Sequence, residues 1–239
     1  MPLTLPALIL AAVAAAAPAP AQKISFRTPD GWTIAALYLP PGKAGVVVVL
    51  AHGVGSSKSE WEALSERLAA AGLGTLAIDL RGHGDSRQGP TGARGYQDFD
   101  ATGEWPRAVE DLNAAAQWLQ ARGIPKSRIA LGGASIGANL ASRAAAAHPQ
   151  TPFLLLLSPG PDYRDVKLLL NAHLKTLAGA SPGDRYAYQT LEPLSSHGVD
   201  IFKAPAGHGV QMFSDPAILD QVSAWIATAA KPPVKPKRP

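Results

Sequence analysis

Between Gln22 and Ala230 the chain alternates short, densely apolar runs with longer stretches whose apolar side chains return every three or four positions, which predicts strands and helices in turn. Ile24–Thr28 and Thr33–Pro40 flank Asp30-Gly31 and read as a β-hairpin. Gly45–Ala51 (GVVVVLA) is apolar throughout, as a strand covered on both faces must be. Lys58–Ala71 carries Trp61, Leu64 and Leu68 at helical spacing, stops at Gly72 and Gly74, and leads into a strand over Thr75–Leu80. Trp105–Arg122 repeats the helical spacing through Val109, Leu112, Ala116 and Leu119. A strand over Arg128–Gly132, an alanine-rich helix over Ile136–His148 and an apolar strand over Phe153–Leu157 follow. The remainder predicts a weak strand at Leu174–Ala180, a helix at Tyr186–Ser195, a strand at Val199–Lys203 and a helix at Pro216–Ala229. A hairpin followed by β-α repeats implies an α/β fold, an open and mostly parallel sheet with helices on both faces.

Both ends depart from this pattern. Residues 1–21 carry no charged side chain, are apolar around Leu3–Ala17, and finish on Ala19-Pro20-Ala21, which suits a secretory signal peptide or an N-terminal membrane anchor. An exported protein, periplasmic or extracellular, is the corresponding expectation. Residues 231–239 (KPPVKPKRP) hold four prolines and no apolar period, so a disordered basic tail is expected, able at most to make weak contact with an anionic envelope surface. Residues 22–230 form the single domain between them.

Composition narrows the chemistry. Of 239 residues 46% are hydrophobic and 17% charged, as in a globular protein with a large core. The formal charge of +4 comes entirely from Lys231, Lys235, Lys237 and Arg238, so the domain is neutral and no nucleic-acid partner is implied. There is no cysteine, which removes disulfides, thiolate metal sites and cysteine nucleophiles. No cluster has metal-ligand spacing, and no cofactor is implied.

In open parallel sheets chemistry gathers at the carboxyl ends of the strands. Gly133-Ala134-Ser135-Ile136-Gly137 lies there, after a strand and opening a helix; its glycines permit a turn sharp enough to project the Ser135 hydroxyl. A serine hydroxyl needs a base, and the base needs an orienting group. His208, in Pro205-Ala206-Gly207-His208-Gly209, follows the last predicted strand and is the base expected. Among the aspartates that satisfy the chain order serine, acid, histidine, Asp184 after the weak strand is favoured, while Asp162 and Asp200 stay open. The oxyanion would be met by the backbone N–H of Ile136 and by that of Val54, in His52-Gly53-Val54-Gly55-Ser56 after the first buried strand. His52 is read as structural, and His148 as a helix C-cap.

Together, His52-Gly53-x-Gly55-Ser56, Asp79-Leu80-Arg81-Gly82-His83-Gly84-x-Ser86, the Gly133–Gly137 turn and Gly207-His208-Gly209 resemble the α/β-hydrolase superfamily over about Ile24–Ala229. The resemblance implies an eight-stranded, mostly parallel sheet, the triad Ser135, Asp184 and His208, and Val54 and Ile136 as oxyanion donors. Short connections after Ser86 and Leu157 leave no room for a full cap domain, which looks like the small dienelactone-hydrolase-like and carboxylesterase-like members. A serine hydrolase acting on small-molecule acyl esters of small to medium acyl groups is therefore expected, its pocket lined by Arg87–Asp100 and Ser158–Lys175. The alternatives are a thioesterase or acyltransferase with the same triad, or a non-catalytic binding module on the same fold. A phosphate-binding loop at Gly53–Lys58 fails because Ser57 stands where glycine is needed. The Tyr163/Lys167 pair has the spacing of short-chain dehydrogenases, but no G-x-G-x-x-G accompanies it.

Overall fold

A computed structural model of the chain describes residues 20–43, 45–100, 103–171 and 173–231. The expected signal segment, apart from Pro20 and Ala21, and the basic tail, apart from Lys231, lie outside the described residues. Among the described residues no helix is long and apolar enough to cross a membrane.

Eight strands form one sheet: β1 (Gln22–Arg27), β2 (Thr33–Leu39), β3 (Val47–Ala51), β4 (Gly74–Ile78), β5 (Ile129–Ala134), β6 (Leu154–Leu157), β7 (Thr176–Ala180) and β8 (Asp200–Lys203). Their spatial order is β1-β2-β4-β3-β5-β6-β7-β8. β2 runs antiparallel to both of its neighbours, and every other pairing is parallel. The helices are α1 (Glu62–Ala70), α2 (Glu104–Arg107), α3 (Val109–Gln120), α4 (Ile136–Ala147), α5 (Arg185–Ser196) and α6 (Pro216–Ala229).

The sheet divides two cores, and β3 shows how. Its five residues are fully buried, but Val47, Val49 and Ala51 face a core shared with α3, α4 and α5, while Val48 and Leu50 face one shared with α1 and α6. The two-residue period of a strand, placed between two helical layers, requires the unbroken apolar run read in the sequence.

Four details differ from the periodicity. β5 extends to Ala134, because Gly132, Gly133 and Ala134 continue the ladder against Leu155, Leu156 and Leu157. The helix expected over Trp105–Arg122 parts at Ala108, whose N–H is shared between the carbonyls of Glu104 and Trp105 in a tightened turn. β7 is fully buried although its sequence looked too polar and small: Phe202 of β8 lies beside Gly179, where a Cβ would sit 2.1 Å from the ring. Apolar bulk for that position thus comes from the neighbouring strand. Finally, two-residue antiparallel ladders, Gln88–Gly89 with Gly92–Ala93 and Asp162–Tyr163 with Val166–Lys167, occupy connections where no period can be read. Among the described residues, the second ladder and its flanks are all that spans Leu157 to Thr176, and they form no cap domain.

Candidate active site

The turn after β5 is built by two close approaches. A Cβ on Gly133 would sit 2.2 Å from the Gly137 carbonyl oxygen, and one on Gly137 2.3 Å from that of Ala51. Only glycine lets α4 start so close to β5 and β3. Between them Ser135 takes φ 56° and ψ −126°, a conformation that costs a non-glycine residue on the order of 1–3 kcal/mol. Its N–H donates to the Leu157 carbonyl at 2.8 Å, which ties the bend to β6. Ser135 is 9% exposed.

His208 follows β8, and its Nδ1–H donates to Asp184 Oδ2 at 2.7 Å; the two side chains are 43% and 12% exposed. Asp184 lies between β7 and α5, where its carbonyl accepts the Tyr188 N–H. The two loops are joined directly, because the Ser181 hydroxyl donates to the Gly207 carbonyl at 2.6 Å. Neither of the other two aspartates bonds to His208. Asp162 lies opposite Lys167 in the small hairpin, and Asp200 accepts the Trp225 indole N–H at 2.7 Å.

Ser135 and His208 open into one cavity of about 490 Å³, walled by Gly53–Ser56, Glu60, Ala134 and Gly209–Gln211. No direct Ser135–His208 hydrogen bond is present. Among the described residues, the backbone N–H groups of Val54 and Ile136 donate to no protein acceptor. At Ile136 that follows from its place as the first residue of α4, where a helix leaves its N–H groups free. The lining corrects the expectation for the pocket walls: neither residues 87–100 nor residues 158–175 border this cavity. Tyr96 of the first segment instead stacks on His83, with ring centres 4.1 Å apart.

Three neighbouring side chains are not marked as site residues by any local pattern. Ser158, fully buried after β6, takes the Gly209 N–H on its hydroxyl at 2.8 Å and so holds the His208 loop. Glu60 lines the cavity and accepts the Ser56 hydroxyl; burial pushes its carboxyl above the usual range, against the pull of Ser56 and the Gly53 N–H. Tyr163, in the small hairpin, donates its hydroxyl to the Ser158 carbonyl at 3.1 Å. All three depend on contacts between segments far apart in the chain.

His52 and His83 are packed, not catalytic. The Leu80 N–H donates to His52 Nε2 at 3.0 Å, and Nδ1–H donates to the Gly53 carbonyl at 2.7 Å, fixing a neutral ring beneath the Val54 loop. Burial, followed by the nearby His83, lowers His52 from its ordinary 6.5 to about 4; burial also lowers His83. The unfolded chain protonates His52 below about pH 6.5 and the folded protein only near pH 4. Stability is therefore full above pH 6.5 and falls as pH drops from there to 4, by on the order of 3 kcal/mol from this ring. Urea titrations at pH 7, 5.5 and 4 check this, and an unchanged midpoint would refute it. Lys58, considered above for phosphate, is held by Asp79 and by Asp85 at 2.8 Å.

Residues 42–204 match the serine aminopeptidase S33 family. Among solved structures, an esterase of Pyrococcus furiosus is similar at a TM-score of 0.70 and 17% identity, over 89% of this chain and 94% of that one. A thermophilic carboxylesterase cloned from a metagenomic library gives 0.67 and 18%, over 90% and 91%. Dienelactone hydrolase from Anabaena variabilis gives 0.60 and 21%, over 87% and 96%.

Proposed function

The chain belongs to the serine aminopeptidase S33 family of the α/β-hydrolase superfamily, and from that premise we propose that it is a serine hydrolase cleaving carboxylic esters of small to medium acyl groups. The observation that supports this best is the 2.7 Å His208–Asp184 hydrogen bond at the cavity into which Ser135 opens. His208, oriented by Asp184, takes the Ser135 proton as the hydroxyl oxygen attacks the acyl carbon. The carbonyl oxygen, now negative, is received by the N–H groups of Val54 and Ile136. Collapse breaks the ester C–O bond; the leaving oxygen takes the proton from His208, and water then repeats the sequence to free the acid.

The polar cavity and the missing cap suit compact substrates open to solvent. The esterases among the similar structures favour ester over amide or thioester. Export, with residues 1–21 as its signal, belongs to the same proposal.

A fluorophosphonate probe tests the nucleophile: labelling confined to Ser135 is expected, and an unlabelled protein would leave only a binding module. The acid is tested by substitution. Asp184→Asn lowers kcat for p-nitrophenyl acetate by about 10³- to 10⁴-fold, whereas Asp162→Asn and Asp200→Asn leave it within about threefold. A loss of the first size in either of those two, with Asp184→Asn active, would reassign the role.

A further inference from the structure

The end of β6 holds both halves of the reacting pair. Leu157, its last residue, accepts the Ser135 N–H on its carbonyl at 2.8 Å and so fixes the bend that carries the nucleophile. Ser158, the next residue, accepts the Gly209 N–H on its hydroxyl at 2.8 Å, and Gly209 directly follows His208. We infer that Ser158 is a positioning residue for the reaction. With Leu157 it forms a two-residue yoke that sets the separation between the Ser135 hydroxyl and the His208 imidazole. This rests on the serine-hydrolase proposal above.

The yoke is itself anchored. The Ser158 N–H donates to the Gly179 carbonyl of β7 at 2.7 Å, and the Ser158 carbonyl accepts the Tyr163 hydroxyl at 3.1 Å. Its N–H, carbonyl and hydroxyl therefore each engage a different segment. Ser158 is wholly buried and Gly209 is buried too, so removing the hydroxyl would leave the Gly209 N–H without its acceptor. Ser158 also takes φ 49°, beside the 56° of Ser135, which puts two left-handed serines at the ends of adjacent strands. Non-glycine residues keep such a backbone only where their surroundings dictate it, and such places gather at functional sites.

The base loop has a stop as well as a tether. A Cβ on Gly209 would sit 3.0 Å from that of Ala134, the residue before the nucleophile. On the other flank of His208, the Gly207 carbonyl takes the Ser181 hydroxyl at 2.6 Å. The two hydroxyls divide the work. Ser181 ties the base to the loop of its acid, and Ser158 ties it to the strand beside its nucleophile. Proton transfer requires the imidazole within hydrogen-bond reach of the serine proton, and a misplacement of about 1 Å can cost on the order of a hundredfold in rate. The loss falls on the chemical step, because neither the cavity walls nor the N–H groups of Val54 and Ile136 belong to the yoke.

The test uses p-nitrophenyl acetate. Ser158→Ala is expected to lower kcat about thirtyfold with KM within about threefold. Ser158→Gly accepts φ 49° without strain but also lacks the hydroxyl, and is expected to lose as much. Ser142→Ala serves as the structural control. It removes another buried hydroxyl that accepts a loop N–H, that of Leu169 at 3.0 Å, and is expected to keep kcat within about threefold. The role is overturned if both Ser158 variants keep kcat, if Ser158→Gly alone regains it, if the loss appears in KM alone, or if Ser142→Ala falls as far. If the unaltered protein fails to take up a fluorophosphonate at Ser135, the hydrolase proposal falls and this one with it; normal labelling with kcat kept in both Ser158 variants removes the yoke alone.

Discussion

Replacing Ser135 by alanine is expected to remove at least about 10⁴-fold of the turnover of p-nitrophenyl acetate, since the groups of a catalytic triad fail together when the nucleophile is lost. The fold should survive. Ser135 holds its place through backbone bonds, its N–H to Leu157 and its carbonyl to Ala138, and alanine keeps both. Alanine does inherit the φ of 56°, so a small change in the denaturation midpoint is expected and circular dichroism should be unchanged. Turnover close to that of the unaltered protein would mean that the strained serine is a relic of the turn and that chemistry lies elsewhere.

The largest effect on stability is expected away from the cavity. The Arg81 side chain is wholly buried, and so is Asp111 on α3. One Asp111 oxygen accepts from Arg81 Nε at 2.9 Å and pairs with its terminal nitrogen at 2.8 Å, and the other accepts the Arg81 N–H at 2.8 Å. Asp30 and Glu104 take the remaining guanidinium donors. Asp111→Ala strips the fully buried counter-charge from a cation that is itself fully buried, at a cost of about 3–5 kcal/mol. That is a large share of what a domain of this size has. Urea unfolding checks it, as a lower midpoint at unchanged slope. A loss under about 1 kcal/mol would show that Asp30 and Glu104 suffice to hold the guanidinium.

The strands most easily read in the sequence were those whose surroundings are the same on both faces. Val47–Ala51 and Leu154–Leu157 lie between helical layers, so every position is apolar and the run announces itself. Ser135 was legible because Gly133 and Gly137 answer constraints a few residues away, in a turn that permits no other residue at those two places. Asp184 was only one of three choices, because β7 borrows its apolar bulk from Phe202 and so hides the strand that positions it. Tyr163 entered through its spacing to Lys167 alone. In the folded chain Val166 stands opposite Tyr163, Lys167 opposite Asp162, and the phenol meets the Ser158 carbonyl by a fold-back that no local pattern encodes. Glu60 and Ser158 were invisible for the same reason: what each does depends on a partner in another loop.

His208 keeps 43% of its side chain in solvent. An acyl group carried on the serine would therefore face the most concentrated nucleophile in the medium from the outset, with no lid among the described residues to hold it back. Handing that group to a sugar, a lipid or a second alcohol demands that bulk solvent be kept out during the intermediate's lifetime. Under the proposed mechanism, an imidazole this open gives any such acceptor no head start, which favours the free acid as product.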